Sequence, residues 1–304
     1  MPIHLPPISR RAWLAGATAT AASLVIRDTR AADPAWGDSL ALLSDTHVPA
    51  NRSITSGNGG QTTNMTENFE RVVAELGALE RAPSHVVVNG DCAHLKGFDD
   101  DYHALAQTLT PLREKNLSVH LSMGNHDHRG RMYAKLKDQA PEKPIVEGRV
   151  ISVLELPHAN WFLLDSLFET NVTGGELGRA QLEWLATALD ARADKPAIVM
   201  AHHHLQWEAS DPIVGLRESR ELFDLLKGRK QVKAYVYGHT HRWHIDQRDG
   251  IHLVNLPPTA YVFDKSLPNG WVSATVKGGG MTLELRALNQ QHPQHGKRVE
   301  LAWR

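Results

Sequence analysis

The chain has 304 residues, 41% hydrophobic and 22% charged, with 33 Lys+Arg against 34 Asp+Glu and a formal net charge of -1. That composition belongs to a folded globular protein and excludes whole-chain disorder. The even charge balance argues against a nucleic-acid partner, which needs clustered positive charge to release counterions. One cysteine, Cys92, permits no intramolecular disulfide, so burial or metal must hold the fold, and the 18 histidines stand out against 5 tyrosines and 6 phenylalanines.

At the N-terminus, Ser9-Arg10-Arg11-Ala12-Trp13-Leu14 sets paired arginines before an Ala-rich apolar run reaching about Val25, with small residues at Ala31 and Ala32. The run is shorter than the roughly 20 residues that span a bilayer, and no acidic residue precedes Asp28. Residues 1–32 resemble a twin-arginine export signal. The resemblance implies the twin-arginine export machinery as a partner, which carries proteins already folded, and a periplasmic or secreted product. No lipobox cysteine is available, so no stable membrane anchor is expected.

Beyond this leader, β-rich apolar runs alternate with helical spacing. Leu40 to Ser44 reads as a buried strand, and Phe69, Val72, Val73, Leu76 and Leu79 recur at helical intervals. The polar stretch Asn51 to Asn64 between them reads as a flexible loop over the end of the first strand. His85 to Asn89 and Val119 to Met123 read as strands flanking a helix marked by Tyr102, Leu105, Leu109 and Leu112. Strands follow at Val150 to Leu156 and Trp161 to Leu164, then a helix carrying Leu182, Leu185 and Leu189, then strands at Ala197 to Ala201 and Ala234 to Tyr237. This order predicts an α/β core with helices covering a sheet. From Ile251 the pattern becomes short strands, with Pro268-Asn269-Gly270 and Gly278-Gly279-Gly280 read as hairpin connections in an antiparallel C-terminal β extension.

Five segments fall where a predicted strand ends, the position at which α/β sheets keep their ligands: Asp45-Thr46-His47, Gly90-Asp91, Gly124-Asn125-His126-Asp127, His202 and Gly238-His239-Thr240-His241. Each alone is an ordinary turn or cap. Together they offer carboxylate, amide and imidazole donors without a thiolate, a set suited to hard or borderline divalent ions. Glycine before Asp91, Asn125 and His239 suits a turn that brings its neighbour against a metal. In His202-His203-His204, side chains alternate along a strand, so His202, first after the apolar run, is the best-placed donor. His94 is read as either a substrate contact or a loop residue, His128 and Arg129 as a helix start or a phosphate contact, and Cys92 as a small buried residue.

The ordered motifs resemble the calcineurin-like metallophosphoesterase superfamily over about residues 38 to 256, with Gly90-Asp91-Cys92-Ala93-His94 most similar to its cyclic-nucleotide and glycerophosphodiester phosphodiesterase branch. The resemblance implies a four-layer α/β/β/α sandwich, here spanning residues 38–290, with 291–304 as a tail. It implies two metal ions, divalent or Fe-type (Fe, Mn, Zn or Co). Asp45, His47 and His241 would hold one ion and Asn125, His202 and His239 the other, with Asp91 bridging. His126 would contact phosphate, and Asp127 would orient His126 or cap its loop. His204-Leu205 stands where Pro-Pro is common in that branch, so the pocket wall there differs. The expected activity is hydrolysis of small phosphate diesters by a metal-bridging hydroxide attacking phosphorus. A phosphomonoesterase or pyrophosphatase with the same metals is the alternative, and a non-catalytic metal- or phosphate-binding module is the remaining one.

Overall fold

The computed structural model describes residues 3–8, 25–27, 37–60, 62–136 and 144–304, so the twin-arginine motif lies outside the described residues. In chain order the strands are β1 (Ile3–Leu5), β2 (Val25–Arg27), β3 (Asp38–Leu43), β4 (Thr55–Ser56), β5 (Thr63–Asn64), β6 (His85–Asn89), β7 (Ser118–Ser122), β8 (Ser152–Glu155), β9 (Asn160–Leu163) and β10 (Ala197–Met200). They continue with β11 (Val232–Tyr237), β12 (His244–Arg248), β13 (Ile251–Asn255), β14 (Gly270–Lys277), β15 (Gly280–Ala287) and β16 (Arg298–Ala302). The helices are α1 (Met65–Ala78), α2 (Asp99–Glu114), α3 (Arg129–Leu136), α4 (Arg179–Asp190) and α5 (Ser219–Lys227).

Two seven-stranded sheets result, ordered β1-β7-β6-β3-β14-β15-β16 and β12-β13-β11-β10-β9-β8-β2. Alternation along the strands divides their side chains between an outer helical layer and the space between the sheets. On β6, Val86 and Val88 join the core under α1 and α2, with Phe69, Val72 and Leu105, while Val87 joins Leu40, Leu42, Trp161 and Met200 between the sheets. A third cluster packs α4 and α5, through Leu185, Leu189, Leu222 and Leu226, on the far face of the second sheet. The protein is therefore an α/β/β/α sandwich, with helices covering the outer faces of the central strands. Local chemistry starts the helices: Asn64 Oδ1 accepts the Glu67 amide at the head of α1 (3.1 Å), and Asp101 accepts the Phe98 amide at the head of α2 (2.9 Å).

β3, β6 and β7 are parallel, as are β9, β10, β11 and β13, so their C-terminal ends gather along one rim of each sheet. Asn89, the last residue of β6, joins the two rims: its side-chain amide donates to the Ala201 carbonyl (3.0 Å) and its own carbonyl faces His202 Nδ1 (2.9 Å).

Two expectations change. Pro268-Asn269-Gly270 is not a hairpin, because β13 and β14 lie in different sheets and this segment crosses between them; the Gly278-Gly279 turn does join an antiparallel pair. Residues 291–304 are not a loose tail, since β16 pairs with β15 from Gly280↔Ala302 to Glu284↔Arg298. The leader read as residues 1–32 contributes β1, antiparallel to β7, and β2, parallel to β8, each the outermost strand of its sheet.

Candidate dimetal centre

The rims bring Asp45 and His47 (after β3), Asp91 (after β6), His202 (after β10) and His239 and His241 (after β11) into one cleft, and Asn125 (after β7) lies between Gly124 and His126, which both pack on the Asp91 carboxylate. Asp45, His47 and His241 offer ligand atoms within 4.8 Å of one another, and so do Asp91, His202 and His239. Asp91 Oδ2 lies 3.7 Å from His47 Nε2 of the first set and 3.4 Å from His202 Nε2 of the second, which is the position of a bridge.

Hydrogen bonds to the outer atoms aim the inner ones. Asp45 Oδ2 accepts from Ser44 Oγ (2.5 Å) and the His239 amide (3.2 Å), leaving Oδ1 toward the cleft. Asp91 Oδ1 accepts the His126 amide (2.8 Å), leaving Oδ2 inward. A ring nitrogen facing a carbonyl must carry the hydrogen. His241 Nδ1 faces the Tyr261 carbonyl (2.7 Å) and His202 Nδ1 that of Asn89, so each points Nε2 at the cleft, whereas His239 gives Nε2 to the Val214 carbonyl (2.8 Å) and keeps Nδ1 free. Such outer partners fix tautomer and ring orientation in metal sites.

The donor set fits two cations. Asp45 Oδ1, Asn125 Oδ1 and His202 Nε2 are buried without a hydrogen bond, the last lying 3.4 Å from Asp91 Oδ2 and 3.8 Å from Asp45 Oδ1. Each unmet buried polar atom costs about 1–3 kcal/mol, a cost that oxygen- and imidazole-binding cations would remove. His47 Nε2 and His241 Nε2 approach to 3.2 Å, with Asp45 Oδ1 3.3 Å from the latter.

The backbone is bent to serve this convergence. Asp45, His47, Asp91, His239 and His241 all have positive φ, from 44° to 67°, a region that costs non-glycine residues on the order of 1–3 kcal/mol each and persists where the surroundings enforce it. The preceding glycines serve close approach: a Cβ on Gly124 would overlap the Asp91 carboxylate, and one on Gly238 would overlap Ser44 Oγ and Asp45 Oδ2.

Charge is sorted as sharply as shape. Burial would raise Asp45 and Asp91, yet the imidazoles around them, His202 foremost, hold both well below the usual carboxylate range. Burial drives His47 and His239 down to about 3, so both are neutral donors. Burial would lower His202 too, but the Asp91 and Asp45 carboxylates outweigh it and raise it to about 9. A cation entering near pH 7 must therefore displace the His202 proton. Lower pH favours the protonated, metal-free pocket, so apparent Mn2+ affinity should rise about tenfold per pH unit from 6 to 8 and level off near 9; calorimetric titration across that range checks the slope, and a flat profile would contradict the assignment.

His126 forms a third donor group with His47 and Asp91, their ligand atoms all within 4.8 Å of one another, so it stands at the edge of the cluster. Its Nδ1 faces the Leu95 carbonyl (2.7 Å) and its ring lies 5.2 Å from that of His47, which leaves Nε2 to face the cleft. Asp127 does not orient it. The Asp127 carboxylate is buried, accepts the amides of Cys92, Ala93 and Gly124 (2.9–3.1 Å) and contacts the Tyr102 hydroxyl, so it fastens the two ligand loops together. Burial and the nearby Asp91 carboxylate push it up to about 7 against those amides.

The remaining candidates divide cleanly. His94 is half-buried near His126 and Asp101. His128 precedes α3 and accepts the Arg131 amide, while Arg129 grips Asp165 with two nitrogens (2.6 and 2.9 Å), so both serve the helix start. His203 is held by Ser166 Oγ (2.8 Å) behind His239, and His204 stacks on His239 at 5.7 Å. Cys92 is buried, its sulfur turned to the Ser122 carbonyl.

Sequence spacing missed an aromatic wall. Tyr261 stacks on His47 (5.2 Å, 25° between planes), Phe263 lies 4.6 Å from His241, and Thr259 and Ala260 tie this segment to the Ser44 and Asp45 carbonyls (2.8 and 3.0 Å). The Asn51 to Asn64 segment holds the β4–β5 ribbon, and Asn58 meets the Tyr261 hydroxyl.

The family model for calcineurin-like phosphoesterases matches residues 39–243, about two thirds of the chain and all of the ligand-bearing loops. The chain belongs to that family. This phosphoesterase is 29% identical over 231 residues to the 3′,5′-cyclic adenosine monophosphate phosphodiesterase CpdA of Pseudomonas aeruginosa, covering 74% of this chain and 77% of that one. It is 26% identical over 231 residues to a 3′,5′-cyclic-nucleotide phosphodiesterase of Nostoc, covering 74% and 79%. Among solved structures, a dimetal phosphatase from Danio rerio shares the fold at a TM-score of 0.67 with 14% identity, covering 88% of this chain and all of that one. The chain is thus a metal-dependent phosphoric ester hydrolase of a family built on a binuclear metal centre, and the His/Asp clusters described above are the candidates for it.

Proposed function

We propose that this protein is an exported phosphodiesterase that hydrolyses small phosphate diesters. The observation that carries this reading is the placement of Asp91 Oδ2 between two donor sets, with His126 within ligand reach of Asp91 and His47. Two bound cations, drawn from Fe, Mn, Zn or Co, would lower the pKa of water from about 15.7 toward 7 and neutralise phosphoryl oxygens. Asn125 contributes a donor without negative charge, which keeps the cleft attractive to an anion. His126, whose Nδ1–H is held by the Leu95 carbonyl, can deliver a proton from Nε2 to the departing alkoxide when its ring is the imidazolium. Diester preference draws support from the cyclic-nucleotide phosphodiesterases among the relatives.

Assays of bis(p-nitrophenyl) phosphate against p-nitrophenyl phosphate, with Mn2+, Zn2+ or Co2+, test the reading: faster turnover of the diester is expected. Preference for the monoester would replace it with a phosphomonoesterase or pyrophosphatase, and turnover of neither with a binding module. The export half of the proposal rests on Ser9 to Leu14. Replacing Arg10 and Arg11 by lysine should retain the protein in the cytoplasm, and continued export would refute that route. Outside the cytoplasm, the fitting role is recovery of phosphate or alcohol from external diesters.

A further inference from the structure

Among the described residues, the large hydrophobic side chains left exposed are Ile8, Leu95, Phe98, Phe168, Val214 and Phe263. All but Ile8 lie on or beside the loops that hold the metal-ligand cluster. Leu95 and Val214 give their carbonyls to His126 and His239, Phe98 follows Leu95 by three residues, and Phe168 sits just before Thr170 and Asn171, which bond to the Asp127 and Asn125 carbonyls. Scattered exposed hydrophobics are ordinary, but their concentration on and beside the loops of a polar cleft points to a place where an apolar ligand group is received.

Phe263 is the most instructive member. It is 56% exposed although its ring lies 4.6 Å from that of His241, with Tyr261 edge-on behind it at 5.8 Å. Its inner side is fixed by an imidazole aimed at the metal position, and its remaining surface is open to solvent beside the cleft. Arg131 and Arg217 lie over the faces of Phe98 and Phe168, at 5.2 and 4.2 Å, so these rim guanidiniums already have aromatic partners. Phe263 thus presents open aromatic surface at the edge of the cleft beside His241. From this we infer that Phe263 is a specificity-determining residue that stacks a flat aromatic ring carried on one ester arm of the substrate, an aryl group or a nucleobase, in preference to an aliphatic alcohol. This rests on the phosphodiesterase reading and names its substrate class.

The test is calorimetric binding of methyl phosphate, phenyl phosphate and adenosine 5′-phosphate to the Mn2+-loaded enzyme, together with bis(p-nitrophenyl) phosphate turnover. Stacking on an exposed aromatic should favour an aromatic ligand over methyl phosphate by about tenfold. A gain for phenyl phosphate places the ring directly on phosphorus, and a gain for adenosine 5′-phosphate alone places it beyond a sugar. Phe263→Ala should abolish the gain and Phe263→Trp should keep it. No gain in the wild-type enzyme, or a gain that survives Phe263→Ala, overturns the inference while diester turnover leaves the phosphodiesterase reading standing. Loss of turnover in the wild-type enzyme would instead count against that reading.

Discussion

Asp91→Asn protein is expected to remain folded, to bind at most one cation tightly, and to hydrolyse bis(p-nitrophenyl) phosphate on the order of 10⁴-fold more slowly than wild type, or worse. Asparagine keeps an oxygen for the His126 amide, which Asp91 Oδ1 accepts at 2.8 Å, so the loop around Asn125 retains its tether. What disappears is the charged Oδ2 between His47 and His202. Without it the two cation positions lose their common ligand and repel each other across the cleft. A water whose pKa is no longer drawn down from about 15.7 toward 7 is a far weaker nucleophile, so four decades is a floor rather than a ceiling. Elemental analysis, circular dichroism and initial rates check the three parts separately. Two retained cations with activity within tenfold of wild type would remove Asp91 from the bridging position.

His126→Ala should behave differently, retaining both cations and its melting temperature while kcat falls by about 10²- to 10⁴-fold, the range for a positioned proton donor. Its ring is tethered through Nδ1 to the Leu95 carbonyl, and each cation position keeps three other donors without it. Leaving-group dependence supplies the sharper reading. A p-nitrophenolate departs with little protonation, whereas an alkoxide needs a proton, so the deficit should be several-fold larger for an alkyl diester than for bis(p-nitrophenyl) phosphate. Equal deficits would give His126 a role in binding the phosphoryl oxygens instead, and loss of metal would make it a ligand.

Much of this arrangement was legible in the chain, for physical reasons. The strands under the site are short apolar runs buried on both faces, such as His85 to Asn89, and the helices covering them repeat leucine and valine at helical spacing. The glycine-ligand pairs announce themselves because close packing against a neighbouring carboxylate tolerates no side chain, as at Gly124 and Gly238. Other parts carried no such signal. β12 is polar and largely exposed, so its residues show no apolar alternation, and α5 runs only nine residues. β1 and β2 have three residues each, and their pairing depends on distant strands. Asp127 looked like a partner for its neighbour His126, but its carboxylate is turned to amides 34 and 35 positions earlier in the chain, a choice made by tertiary packing. Tyr261 and Phe263 reach the cleft because the connection between the two sheets passes over the end of β3, and nothing in local spacing foretells that route.

The placement of β1 and β2 bears on maturation. If residues 1–32 are cut away on export, each sheet loses only a terminal rung, and among the described residues none of the seven candidate ligands is hydrogen-bonded to β1 or β2. The cut would leave β7 and β8 as outermost strands, with amide and carbonyl rows that β1 and β2 had occupied now free to accept another strand. The precursor would then be the self-shielded form of the molecule and the processed chain the adhesive one, so clustering, more than catalysis, is the property that processing would alter.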